Sequence, residues 1–169
     1  MLDLLPELCD RYSSQVRLLP PLFSLYGNRR CFGGEVVTVR CLEDNSLVRE
    51  TLSEPGLERV LLVDGGGLSR RALLGDQLAQ KAVDNGWAGI VVFGYIRDVN
   101  AIATMDLGVM ALGAVPMKSD KRGVGERNVS VQIHGCHIQP KDFIYADANG
   151  VIVSAAALPL AQQELNRCK

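Results

Sequence analysis

The sequence predicts an α/β fold in which a buried sheet with alternating strands and helices runs into a β-rich C-terminal part. Two continuous apolar runs, Arg59-Val60-Leu61-Leu62-Val63-Asp64 and Gly89-Ile90-Val91-Val92-Phe93-Gly94, suit strands buried on both faces. Between them lies an apolar stripe at helical spacing, so strand, helix and strand follow one another. Beyond residue 129 the pattern changes to period-two alternation and a hairpin signal. An ordinary dinucleotide-binding fold would not need that tail. With 169 residues the chain has room for one sizeable core and too little for two, so a single domain over 1–169 is expected.

Taken in order, Leu4 to Tyr12 reads as a short helix. Glu35 to Cys41, carrying Val36, Val37 and Val39, reads as a strand. Asn45-Ser46 caps a helix that runs through Leu52 and ends near Pro55. The 59–64 strand follows and stops at Gly65-Gly66-Gly67. Leu78, Ala79, Ala82 and Val83 form the stripe of a helix that starts at Asp76 and halts at Asn85-Gly86. After the 89–94 strand come a helix from Val99 to Met105 and a strand from Gly108 to Val115. Val129 to His134 alternates as a half-exposed strand, and Pro140-Lys141-Asp142 turns the chain. Phe143–Asp147 and Gly150–Ser154 pair around Ala148-Asn149-Gly150. Leu160 to Cys168 closes the chain as a helix.

Composition excludes several classes. Hydrophobic residues make up 47% and charged residues 22%, ordinary for a globular domain. The net charge of −1, with both signs interspersed, gives no electrostatic footprint for direct nucleic-acid binding. Lys118-Ser119-Asp120-Lys121-Arg122 is interrupted by an acid and reads as a solvated loop. No apolar stretch approaches the ~20 residues that span a bilayer. Asp3 and Glu7 stand where a signal peptide needs basic residues, so a cytoplasmic, non-membrane protein is expected. The five cysteines, Cys9, Cys31, Cys41, Cys136 and Cys168, include no Cys-x-x-Cys pair, which argues against a zinc ribbon or disulfide framework. His134-Gly135-Cys136-His137 looks like a metal cluster, but strand alternation would send His137 away from His134 and Cys136. Asp64-Gly65-Gly66-Gly67 lacks the Gly-x-Gly-x-x-Gly register, and no phosphate loop, Gly-x-Ser-x-Gly elbow or S-adenosylmethionine site is evident.

The chemistry-bearing pattern is Gly75-Asp76-Gln77-Leu78 followed by Gly94-Tyr95-Ile96-Arg97-Asp98. A helix opened by Gly-Asp offers free N–H groups to a carboxylate. Arg97 can grip an anion with its planar fork, and Asp98 can hold a hard divalent cation. About twenty residues separate the two segments, enough for one helix, a turn and a returning strand, so Arg97 comes back towards the helix start. Together these parts suit a 2-oxo-acid lyase. A surface Arg97–Asp98 pair with Asp76 as a plain helix cap is the structural alternative.

Further segments carry a family resemblance: Pro21-Leu22-Phe23-Ser24, Phe32-Gly33-Gly34, Glu43-Asp44-Asn45, Val63 to Gly67, Arg70-Arg71-Ala72, Gly125-Glu126 and Tyr145-Ala146-Asp147. With them nearly the whole chain resembles the family of the regulator of ribonuclease activity A, which includes class II 4-hydroxy-4-methyl-2-oxoglutarate aldolases. The resemblance implies a layered β/β/α fold of the swivelling-domain kind and a homotrimer with sites between subunits. It implies that Gly75, Asp76, Gln77 and Leu78 bind the substrate carboxylate, and that Arg97 contacts substrate. It further implies that Asp98 ligates magnesium or manganese and that Asp76 holds a metal-bound water. The implied activity is cleavage of 4-hydroxy-4-methyl-2-oxoglutarate to two pyruvates, with oxaloacetate decarboxylation beside it. Such aldolases also use an acid from a neighbouring subunit's C-terminal region, and Glu164 is the candidate here. A regulator without catalysis, docking on ribonuclease E or an associated helicase, is the competing class.

Overall fold

The computed structural model describes residues 3–167. Its first half runs α1 (Leu4–Arg11), β1 (Val16–Leu18), β2 (Ser24–Leu25), β3 (Phe32–Arg40), α2 (Ser46–Leu52), β4 (Val60–Asp64), β5 (Ala72–Leu74) and α3 (Asp76–Asp84). There follow β6 (Gly89–Ile96), α4 (Val99–Ile102), β7 (Gly108–Ala114), β8 (Glu126–Arg127), β9 (Val131–Ile133), β10 (Cys136–Ile138), β11 (Phe143–Asp147), β12 (Gly150–Ser154) and α5 (Pro159–Arg167). No helix among the described residues is long and apolar enough to cross a membrane.

Strand β3 joins two sheets into one. Its first residues pair antiparallel with β11, from Phe143↔Glu35 to Ala146↔Phe32. Its later residues pair parallel with β4, from Val36↔Val60 to Arg40↔Asp64. The strand path is β1-β12-β11-β3-β4-β6-β7-β2, with β5 added on β6 and β8 on β3. Side chains then sort by alternation. Leu61, Val63, Ile90, Val92, Val109 and Ala111 meet Leu52, Ala79, Ala82 and Ile102 of the helices on one face. Leu62, Val91, Phe93 and Met110 meet Ile144, Ala146, Val151 and Val153 of the β11–β12 hairpin on the other. The apolar runs are therefore buried on both faces, and the layers are β, β and α.

The hairpin is also apolar on its outer face, where Tyr145 and Ile152 pack with Leu4, Leu5 and Leu8 of α1 and with Leu158 and Ala161. Helices α1 and α5 thus cover the antiparallel sheet. Asp147, fully buried, accepts the Leu5 N–H at 2.9 Å and the Asn149 N–H at 2.7 Å, which fixes α1 to the hairpin turn.

Several expectations need correction. The strand expected from Val129 to His134 is shorter, Val131–Ile133: His134 has φ of 45° and, with Gly135, turns β9 back as β10, pairing Ile133 with Cys136. Cys136 is buried, His137 is exposed and the His134 ring meets the Phe93 ring edge-on at 5.6 Å. Helix α4 ends at Ile102, before Met105. Asn45 makes no side-chain cap; the Ser46 N–H is taken by the Asp44 carboxylate at 2.9 Å instead. The last helix begins at Pro159, and Cys168, its expected end, lies outside the described residues.

The Phe32 ring lies across two glycines of the parallel sheet. A Cβ at Gly108 would stand 2.0 Å from the ring, and one at Gly89 2.3 Å. Gly108→Ala is expected to cost about 2–3 kcal/mol by overpacking, a fall in Tm of roughly 5–10 °C. Adding Phe32→Leu should recover part of that loss, so that the double variant falls short of the sum. Urea unfolding of the four proteins of the cycle checks this; strict additivity would show that the ring does not set the spacing.

Candidate functional site

The cleft forms where the parallel strands end and their connections begin, the usual ligand position in an open α/β sheet. Strand β5 pairs parallel with the end of β6, Leu74 opposite Ile96, and the Arg97 N–H donates to the Leu74 carbonyl at 2.9 Å. The next residue of each chain segment, Gly75 and Arg97, therefore leaves side by side. The cleft is lined by Asn45, just before α2, and Arg49 within it, by Ala72, by Gly75 and the first residues of α3 to Leu78, and by Arg97, Asp98, Lys118, Ser119 and Lys121. All the residues expected at the site from sequence, Gly75, Asp76, Gln77, Leu78, Arg97 and Asp98, lie in this one cleft.

Convergence is tight around Gly75. A Cβ there would lie 2.7 Å from Asp98 Oδ2 and 3.4 Å from Arg97 Nε, so hydrogen at this position is what lets both side chains turn inward. Asp98 Oδ2 accepts the Asp76 N–H at 3.1 Å, and Asp76 Oδ1 accepts the Gln77 N–H at 2.7 Å. Two first-turn N–H groups of α3 thus already face carboxylates, which the positive helix end favours. This refines the expectation that the Gly75–Leu78 N–H groups are all open. Arg97 Nε stands 3.7 Å from Asp98 Oδ2, and both side chains keep about two-fifths of their surface in solvent, 41% and 38%. Asp98 itself is left-handed, with φ of 57° and ψ of 36°. Such backbone is disfavoured for most residues and recurs at functional positions. Here the Asp76 N–H on its carboxylate and the Ile102 N–H on its carbonyl hold it.

Sequence reading missed the other wall. Lys118 and Lys121 are exposed, as expected of a solvated loop, but with the buried Ser119 between them they also line the cleft. Main-chain pairing puts them there: the Ala72 N–H donates to Met117 at 2.7 Å, the Asp120 N–H to Glu43 at 2.8 Å and the Asn45 N–H to Asp120 at 3.3 Å. Asp44, 0% exposed, accepts the N–H groups of both Ser46 and Arg122, binding the loop to the start of α2. Asp44, beside Glu43 in Leu42-Glu43-Asp44-Asn45, gave no periodic signal that it would be buried. The glycine turn after β4 is held by Asp64, which accepts the Gly66 N–H at 3.0 Å and faces Arg40 at 3.5 Å, as a turn rather than a nucleotide cradle.

Burial alone would raise the Asp44 carboxyl. Hydrogen bonds from the Ser46 hydroxyl and from the N–H groups of Ser46, Arg122 and Val124 outweigh that and hold it below the ordinary carboxylate range. Cys41 nearby is pushed up to about 12 by burial, with Asp44 and Asp64 adding to the rise, so its thiol is no nucleophile. Glu164 is 8% exposed and pairs with Arg167 at 2.8 Å on α5, over the antiparallel layer.

The sequence profile of the RraA-like family, described as Aldolase/RraA, matches residues 5–153. A protein of Ectopseudomonas mendocina, provisionally named 4-hydroxy-4-methyl-2-oxoglutarate aldolase, is 57% identical over 157 residues, 93% of this chain and 97% of its own. Among solved structures, one from Geobacillus kaustophilus, described as an S-adenosylmethionine: 2-dimethylmenaquinone methyltransferase, superposes with a TM-score of 0.87 at 44% identity, covering 91% of this chain and 96% of its own. The RNA-processing inhibitor RraA from Thermus thermophilus superposes with a TM-score of 0.87 at 42% identity, covering 90% and 93%.

Since the folded Asp44 carboxyl is lowered, its contribution is present above the unfolded value near pH 4 and is lost as pH falls through the folded value. Asp44→Asn should therefore lower Tm by roughly 5–10 °C at pH 7, because a charge-assisted acceptor of buried N–H groups is lost. The gap to the parent should narrow below about pH 4. Thermal unfolding between pH 3 and 8 measures it; a gap independent of pH would place the ionisation of Asp44 outside the stability of the loop.

Proposed function

Because the chain belongs to the RraA-like family of aldolases and RraA proteins, we propose that its cleft cleaves 4-hydroxy-4-methyl-2-oxoglutarate to two molecules of pyruvate with a divalent cation. Oxaloacetate decarboxylation is proposed as a side reaction. The observation that carries the reading is the convergence of Arg97 and Asp98 on Gly75 at the positive end of α3.

The donor set fits magnesium or manganese. Asp98 and Asp76 supply only carboxylate oxygens, and among the described residues no group of three or more His, Cys, Asp or Glu side chains forms a closed cage. Such a sparse oxygen site suits a hard cation that keeps water and substrate in its shell. Asp98 would hold it directly and Asp76 through water. When bound, the cation supplies Lewis-acid stabilisation of charge developing on the 2-oxo oxygen. Arg97, always protonated, orients the ketone and meets that same charge as the C3–C4 bond breaks and pyruvate enolate forms. The N-terminal turn of α3 receives the 1-carboxylate at the Leu78 N–H, and at the Gln77 N–H once Asp76 Oδ1 gives it up, drawn by the helix end. Asp76, acting through water, would take up the C4 hydroxyl proton. In oxaloacetate the lost carboxylate leaves its electron pair on the same carbon, so the same residues serve. By the same resemblance, the working form is proposed to be a homotrimer with sites between subunits.

A second reading is a protein regulator that binds ribonuclease E; likeness to the Thermus thermophilus RNA-processing inhibitor favours it. A pyruvate-release assay separates the two. Pyruvate should appear from 4-hydroxy-4-methyl-2-oxoglutarate with magnesium or manganese and cease in excess chelator. Activity that persists in chelator rules out the metal mechanism, and none with any metal favours the regulator. Asp98→Ala should raise the metal concentration needed for half-maximal rate, whereas Arg97→Ala should lower kcat at saturating metal by more than about tenfold. Both variants within about threefold of the parent would leave the pair a structural one, since one lost charge contact ordinarily costs more than ~1 kcal/mol.

Oxalate, planar and doubly anionic like the pyruvate enolate, should inhibit competitively and far more tightly than acetate. Gly75→Val should weaken it, since the new side chain stands where Asp98 and Arg97 converge. Binding of oxalate no tighter than acetate, or equally tight to Asp98→Ala, would refute the enolate site.

A further inference from the structure

The wall opposite Arg97 contains a buried polar group that nothing else in the fold uses. Ser119 is 5% exposed, and its hydroxyl is buried without a hydrogen-bond partner. An unpaired buried hydroxyl costs stability, and native structures keep one where something completes it. Loop mobility does not account for it. On one side Lys118 bridges to Ala72, and on the other Asp120 bridges to Asp44, so Ser119 is held between two fixed points. The residue lines the same cleft as Gly75 and Arg97.

Charge around it is equally unspent. Arg49, Lys118 and Lys121 line the cleft beside Ser119. Among the described residues the rim's ion pairs engage other arginines: Arg70 with Glu43 at 2.8 Å, Arg71 with Asp120 at 3.7 Å and Arg122 with Asp120 at 3.8 Å. With Arg97 counted, the lining holds four cations against the two carboxylates Asp76 and Asp98. Both of those carboxylates stand on the Arg97 side, so a second negative charge on a substrate meets the three cations of the other wall. Lys118 pairs with Ala72, and Ala72 pairs with Tyr95 of β6, so two strand spacings, about 10 Å of main chain, separate the Ser119 wall from the Arg97 wall.

We propose that Ser119, with Arg49 and Lys121, forms a subsite for the second carboxylate of a 2-oxo dicarboxylic acid, and thereby selects diacids over monoacids. This rests on the reading of the Arg97 side as a 2-oxo-acid site. The Ser119 hydroxyl donates to the distal carboxylate, and the two cations balance its charge.

Calorimetry with two ligands that the proposed reaction does not cleave tests the subsite apart from catalysis. 2-Oxoglutarate carries the distal carboxylate; 2-oxopentanoate has a methyl group in its place. In magnesium buffer the parent should prefer 2-oxoglutarate by at least about tenfold, the worth of a hydrogen bond to a charged group. Ser119→Ala should cut that preference several-fold, Ser119→Thr should retain it, and Arg49→Gln, at an exposed position that does not threaten folding, should cut it too. Equal affinity of the parent for both ligands, binding of neither, or variants that weaken both ligands alike would overturn the subsite. If the parent released no pyruvate from any substrate yet kept the diacid preference, the aldolase reading would fall and the subsite would stand.

Discussion

Strand β6 has to bury both of its faces, and the rest of the molecule follows from that requirement. Ile90 and Val92 need the helices on one side, while Val91 and Phe93 need the antiparallel hairpin on the other. Parallel neighbours β4 and β7 hold its register, and β5 is added at its C-terminal end. A one-residue slip would exchange the two apolar sets and carry Arg97 and Asp98 to the wrong side of Gly75. Site geometry is thus set by hydrophobic burial, which is strong and non-directional. The hydrogen bonds at the strand end only choose among the few arrangements that burial leaves open.

What was legible in the sequence follows from that division. The long apolar runs, the helical stripe after Asp76 and the Asn149-Gly150 hairpin signal their own structure locally, and they build the sheet. The spacing between Gly75 and Arg97 was readable because one helix and one strand have nearly fixed lengths. Strands β1, β2, β5, β8 and β10 were not, since each has only two or three residues and exists through its partner. The His134-Gly135 turn was hidden because alternation on both sides masked a reversal that depends on one left-handed residue. Lys118 and Lys121 are solvent-facing charge, as their pattern suggests, but nothing in that pattern shows that they border the cleft. Only the main-chain pairing of their loop with Glu43, Asn45 and Ala72 reveals which way they face.

The two walls of the cleft are built on different physical terms. The Gly75–Asp98 side rests on the ends of regular elements, whose positions the core fixes. Its opposite rests on a loop without secondary structure of its own, fastened by the buried carboxylate of Asp44 and a few main-chain bonds. Changes of sequence in the loop can therefore reshape the far end of the cleft while the geometry of Arg97 and Asp98 stays put. This is how loops on a rigid α/β frame ordinarily diversify.

The left-handed backbone of Asp98 has an evolutionary consequence. Few residues other than glycine tolerate that conformation, and asparagine is the one that also preserves the shape of the aspartate side chain. An exchange of one carboxylate oxygen for an amide nitrogen would thus remove the charge without disturbing the joint between β6 and α4. Fold and charge are separable here by a single atom. A lineage built on this frame could give up the carboxylate at this corner, keep every strand in register, and leave its surface to be selected for holding another protein.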